Sequence, residues 1–152
     1  MTQKKSENFD SAMLQYQQLA ITASKDSQNP HFKNNYASLE AVIDAANQAN
    51  QFGLYFMQPL DLIEIGDQIV QVVKTIITHA PTGEQRVSLC PVRTKDPSVP
   101  QKMGSGITYA KRYALQSALG LPSEDDDGEA AAGNNQKKPV TTNKPNQQPQ
   151  EF

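Results

Sequence analysis

Apolar residues recur along this chain with two different periods, and the change of period divides it. Phe9, Met13, Tyr16, Ala20 and Ala23 follow helical spacing. That predicts an amphipathic helix over about residues 9–24, with Asp10, Gln15, Gln17 and Gln18 on its polar face. Residues 25–36 read as a polar loop broken at Asn29-Pro30. Ser38 is a helix N-cap, Glu40 lies in the first turn where the dipole favours it, and Leu39, Val42, Ile43 and Ala46 supply an apolar face. Gly53 is a natural stop. The period then shortens. An apolar run at 54–57 ends at Pro59, and residues 60–65 and 69–79 are rich in Ile, Val and Leu. The two residues between them, Gly66-Asp67, are a hairpin signal. Ala80-Pro81-Thr82-Gly83 makes a second turn. Residues 84–92 return as a strand, Val87 and Leu89 on one face, Arg86, Ser88 and Cys90 on the other.

Residues 93–102 form a loop carrying Pro97 and Pro100, and a third helix follows over about 104–119. Ile107, Ala110, Ala114, Ala118 and Leu121 share its inner face. Ser105, Tyr109, Arg112 and Gln116 fall opposite, so Arg112 is expected on the outer face. Tyr113 flanks the inner face and reads as core, and Gly120 and Pro122 end the helix. Helices before and after a β-rich middle define an α+β fold: a three- to four-stranded antiparallel meander flanked by helices and covered on one face.

Composition sets the limits of the domain. The chain has 152 residues and 37% hydrophobic content, but beyond Gly128 its large apolar residues are only Val140 and Phe152. Such a stretch cannot offset the ordering entropy of its backbone, about 1–2 kcal/mol per residue. The organisation expected is a flexible start over 1–8, one domain over 9–127 and a disordered tail over 128–152. No apolar run approaches the ~20 residues of a membrane span. No apolar segment follows Lys4 and Lys5, so the start does not read as a secretory signal. The single cysteine, Cys90, excludes an internal disulfide and a Cys-cluster zinc site. The reading is a soluble intracellular, cytoplasmic protein.

The net charge of −2 conceals an uneven distribution. Between Arg86 and Arg112 lie Arg86, Arg93, Lys95, Lys102, Lys111 and Arg112 against Asp96 alone. Glu124, Asp125, Asp126 and Asp127 follow as an acidic block that masks this strip. A basic strip is the footprint of a polyanion partner; a solvated surface with chance clustering is the plain alternative. Catalytic chemistry is harder to find. Gly104-Ser105-Gly106 lacks the Gly-Lys-Ser/Thr of a phosphate loop. His31 and His79 share no ligand spacing and read as surface or half-buried side chains. Cys90 has no partner at a recognisable spacing. Contiguous carboxylates surround a cation poorly, so the acidic block reads as a solvated boundary, with a metal-dependent nuclease as a competing hypothesis. No enzyme activity, metal or cofactor is implied.

Two stretches exceed generic pattern. One is Asn29-Pro30-His31-Phe32-Lys33-Asn34-Asn35-Tyr36-Ala37-Ser38-Leu39-Glu40. The other runs Met103-Gly104-Ser105-Gly106-Ile107-Thr108-Tyr109-Ala110-Lys111-Arg112-Tyr113-Ala114-Leu115 to the acidic block. In this order, around a β-rich middle, they resemble the ERF family of phage single-strand annealing proteins over residues 9–128. The resemblance implies a recombination protein that binds single-stranded DNA and anneals complementary strands without ATP. It also implies a β-β-β-α core like that of Red-beta-type annealing proteins, and homo-oligomeric rings or helical filaments. The family pattern often has a bulkier residue at Gly106. A glycine there costs about 1 kcal/mol of helix propensity against alanine, so the helix is expected to start late.

Annealing needs a groove that holds phosphates and leaves base edges free. Candidates are Arg86 on the last strand, Arg93 and Lys95 in the loop, and Lys102, Lys111 and Arg112 at the final helix. Tyr109 is a stacking platform, and Lys111 contributes packing as well as charge. Lys33, with Phe32 and Tyr36, is either a second backbone clamp or part of a turn anchoring the second helix. Lys74, facing the same way as Val72 and Ile76, is a further candidate on a partly covered surface. About five phosphate contacts give a salt slope near −3.5. Oligomerisation links such weak sites; the first helix is a candidate subunit contact, with core packing the preferred reading. The tail's Glu151-Phe152 is a candidate tip for recruiting a host or phage single-strand-binding protein. The alternative function is a protective single-strand-binding module that does not anneal, although an OB barrel needs about five strands.

Overall fold

The computed structural model describes residues 6–28 and 35–122. Helix α1 (Phe9–Gln18) starts at Asn8, whose side chain accepts from the Ser11 N–H while the Ser11 hydroxyl accepts from the Asn8 N–H. Phe9, Ala12 and Tyr16 are buried. The helix is shorter than the spacing predicts, because Leu19 caps it and Ala20 turns to a positive φ of 51°. Ala23 still reaches the core, but as an extended residue whose N–H bonds the Pro122 carbonyl at 3.2 Å.

The polar loop that follows contains two short strands, β1 (Ser27–Gln28) and β2 (Asn35–Tyr36), paired antiparallel. Helix α2 (Leu39–Asn47) is capped by Ser38 as expected, its hydroxyl accepting from the Ala41 N–H at 3.1 Å. A 3₁₀ turn (Gln48–Phe52) ends at Gly53, φ 89°, a conformation that costs other residues a Cβ clash.

The sheet comprises β3 (Leu54–Met57), β4 (Leu60–Ile65), β5 (Gln68–His79) and β6 (Gln85–Pro91). Both β3 and β4 pair with β5 in one unbroken register. Met57 stands opposite Ile76, and three residues along each strand Leu60 stands opposite Val73. They are thus one edge strand interrupted at Gln58-Pro59, where proline cannot donate, and the Pro59 carbonyl still accepts from Lys74. With β6 on the other side of β5, the sheet is a meander three strands wide. This resolves the three-or-four alternative left open by the pattern.

Alternation assigns the two faces. Leu54, Val73, Thr75, Ile77 and His79 point to one face and are buried; there the sheet joins Phe9, Tyr16, Val42, Ala46, Leu115 and Leu119 in the core. His79 is wholly buried, contrary to the surface reading, with Nδ1 2.8 Å from the Thr82 hydroxyl. Tyr55, Met57, Val87 and Leu89 share the other face with Ile76 and remain between 43% and 52% exposed, although Val72 and Thr78 on that same face are buried.

Helix α3 (Pro100–Leu119) crosses the covered face. It begins earlier than the sequence suggests, because Pro100 occupies its first turn, where a missing N–H is no loss. Gly106 does not delay it. A Cβ there would stand 2.6 Å from the Arg93 carbonyl and 3.2 Å from Val92 Cγ1, so the glycine lets the loop after β6 lie against the helix. Gly106→Ala is therefore expected to destabilise the fold by roughly 1–3 kcal/mol, as overpacking does. Gly104→Ala, which meets nothing within 4 Å, is expected to stabilise it by roughly 1 kcal/mol through helix propensity. Urea unfolding of the two variants checks the pair, and equal midpoints would refute the close-approach argument.

Candidate nucleic-acid interface

Helix α3 brings together residues that the sequence holds far apart. Tyr109 and Tyr113 lie one turn apart on its surface and stack with centroids 6.3 Å apart and planes at 14°. Both are more than half exposed, so Tyr113 is not the core residue its flanking position suggested. Arg112 is likewise not on an open outer face: it is 8% exposed. Its guanidinium lies 4.7 Å from the ring centre of Tyr36, 4.8 Å from Tyr109 and 5.0 Å from Tyr113. Nη1 donates to the Ala37 carbonyl at 3.5 Å. The helical wheel misplaces Arg112 because α3 packs on α2 as well as on the sheet, so a wider arc is covered than one apolar stripe. Leu115, wholly buried, lies on that additional arc.

Two clefts flank this cluster and share Ser105 and Tyr109 as a common ridge. One, about 510 Å³, runs between Tyr36, Ser38 and Leu39 on one wall and Gly104, Thr108 and Arg112 on the other. The second, about 410 Å³, is lined by Arg93, Thr94, Lys95, Gln101, Lys102 and Gly106. Arg93, Lys95 and Lys102 are exposed and form no ion pair among the described residues.

The remaining candidates lie elsewhere. Arg86 extends over the Phe9 ring at 4.5 Å and pairs with Asp10 at 3.2 Å, which ties β6 to α1. Lys74 points to the open sheet face and pairs with Asp61 at 3.9 Å, across the sheet from α3. Lys111 is half-buried, and its carbonyl accepts from Gln58 Nε2 at 3.0 Å, joining α3 to the break in the edge strand. Lys33, Phe32, His31, the acidic block and the Glu151-Phe152 tip lie outside the described residues. Among the described residues no three His, Cys, Asp or Glu gather as a metal site, and no helix is long and apolar enough to cross a membrane.

Tyr113 and Ser105 line the site although the sequence did not mark them as such, while Tyr36 entered only with Lys33 and Phe32 as a candidate second clamp. The signal for Tyr113 was present: residues three and four apart on a helix are surface neighbours, so Tyr109, Arg112 and Tyr113 form one cluster. The contact of Tyr36 with Arg112 has no comparable local signal, because the two residues are separated in the chain by the whole sheet.

Helices packed on one face of an antiparallel meander, with tyrosines and cations gathered along the last of them, define an α+β domain with an open, charged pair of clefts. The chain belongs to the ERF superfamily, whose family model matches residues 9–152. Membership supports, at family level, a phage recombination role of the single-strand-annealing type. No curated protein and no solved structure matches the chain.

The wall carrying Tyr36 is fixed by Asp26. Its Oδ2 accepts from the Ser38 hydroxyl at 2.6 Å and its Oδ1 from the Ser38 N–H at 2.8 Å. These bonds, the hydroxyl first, hold the carboxyl below the ordinary aspartate value of 3.8. A depressed folded pKa means the stabilisation is fully present above that ordinary value and is lost as pH falls through the folded one. Asp26→Asn is expected to remove this acid-dependent part. Thermal melts of both proteins between pH 5 and about pH 2 check it, and curves that fall in parallel would refute it.

Proposed function

We propose that this protein binds single-stranded DNA along the two clefts beside α3 and anneals complementary strands without ATP. The observation that carries the reading is the ridge at Tyr109, with Arg93, Lys95 and Lys102 to one side and Arg112 with Tyr36 to the other. Cations on long stems hold phosphates without reading bases. Exposed tyrosine faces stack on any base, which contributes about 1–3 kcal/mol per base. Base edges then stay free to meet a complementary strand.

Among the described residues three exposed cations line the path, because Arg86 and Lys74 are engaged elsewhere. The expected salt slope for a single strand is about −2, a loss of roughly twentyfold between 50 and 200 mM salt. Replacing Lys95 and Lys102 together by Ala should flatten the slope by about 1.4 and slow the annealing of dye-labelled oligonucleotides without nucleotide. Tyr109→Ala should weaken binding by the stacking amount while Tyr109→Phe retains it. An unchanged slope in the double variant would reject the path, and binding without accelerated annealing would favour the protective module.

So weak a site per subunit needs repetition along the strand, which self-association supplies. The apolar stripe of α1 is spent in the core, so the open sheet face is the better contact. Met57, Ile76 and Val87 form a row across its three strands, and its one central cation is neutralised by Asp61. Two copies of such a face meet without charge repulsion. Met57→Lys with Val87→Glu is expected to give monomers by light scattering and to suppress annealing. Assembly unchanged by the pair would place the contact elsewhere.

A further inference from the structure

The cleft beside Arg112 holds a charge that no carboxylate balances among the described residues. Buried charges are ordinarily paired with an opposite charge. Arg112 is more than nine-tenths buried, yet no Asp or Glu pairs with it among the described residues. Its contacts are three tyrosine faces and one long bond to the Ala37 carbonyl. The other N–H groups have no protein acceptor among the described residues, and none of their nitrogens is sealed from solvent, as His79 Nε2 is. They therefore open into the cleft that Arg112 lines. Two turns earlier on the same wall the helix is bare: Gly104 has nothing within 4 Å of a Cβ position, and the exposed Ser105 hydroxyl makes no hydrogen bond among the described residues.

We propose that this cleft is a single-phosphate site that seats one nucleotide of the strand. Arg112 supplies N–H donors and Ser105 a hydroxyl donor to the phosphate oxygens, a geometry guanidinium suits better than a lysine ammonium does. The inference rests on the strand-binding reading and narrows it. Contacts at Arg93, Lys95 and Lys102 are interchangeable charge, whereas the Arg112 contact is one fixed position that sets where Tyr109 stands between successive phosphates. The phosphate is either an internal diester or a 5′-terminal group.

The test uses the full chain with thymidine 5′-monophosphate, thymidine, and dT oligonucleotides with and without a 5′-phosphate. The expected result is a saturable shift of the Arg112 Nε–Hε NMR resonance with the monophosphate and none with thymidine. Arg112→Lys should lose mononucleotide binding at least tenfold while keeping the salt slope for oligonucleotides, since its charge remains. Ser105→Ala, on an exposed helix position, should weaken mononucleotide binding several-fold with an unchanged melting temperature, which keeps the test valid if Arg112→Lys fails to fold. Tenfold tighter binding of the 5′-phosphorylated oligonucleotide assigns the site to strand ends; equal binding assigns it to an internal diester. Oligonucleotide binding with no monophosphate shift at Arg112 would overturn the single-phosphate site alone, and no oligonucleotide binding would overturn the strand-binding reading with it.

Discussion

The guanidinium of Arg112 is the point on which this architecture turns. It stands on α3 and reaches the Tyr36 ring and the Ala37 carbonyl, residues 75 and more positions earlier in the chain. A cation under three aromatic faces gains about 0.5–2 kcal/mol from each well-placed ring, but only when the rings are held. Two of them belong to α3 itself and are spaced to meet it. The third depends on Asp26 gripping Ser38, which fixes both the cap of α2 and the strand entering it. Capping, hairpin and aromatic cluster therefore form one assembly, and the clefts exist as its walls.

This coupling explains which features were legible in the sequence. Ser38, Gly53, Gly66-Asp67 and the turn before β6 act within a few residues, so local chemistry determines them and the structure follows. The two faces of β5 were legible as alternation only in its middle, since Val72 beside Val73 and Thr78 between Ile77 and His79 are buried out of turn, and which face the helices cover depends on where they dock. The edge strand interrupted at Pro59 similarly read as two elements, because its continuity lies in the unbroken register against β5. Arg112 and Tyr113 were misread for a related reason. A wheel assumes one packed direction, and α3 meets the sheet and, at Gly106, the loop after β6 while meeting α2 along another arc.

Strand direction and pleat divide the cations as well. Sequence proximity groups Arg86 with Arg93 and Lys95, but β6 carries Arg86 towards α1, where Phe9 and Asp10 engage it. Chain reversal then delivers Arg93 and Lys95 to the start of α3 beside Lys102. A strip that is continuous on paper becomes a structural tie at one end and a solvent-facing cleft at the other. Lys74 shows the converse case: it lies on the strand against which α3 packs, yet pleating turns it to the opposite face.

A weak interface is consistent with annealing chemistry rather than opposed to it. A strand held by many strong contacts would be protected but could not exchange partners. On the proposed reading, three exposed cations and a tyrosine ridge would hold it loosely, and the strand could exchange partners while complementary bases are sampled. Retention on that reading comes from number rather than strength, which the proposed self-association would supply. The sheet face left open on the side away from α3 meets that demand without occupying the clefts, because helix and open face lie on opposite sides of β5. In this fold the pleat itself separates the surface proposed to hold DNA from the surface proposed to hold the next copy.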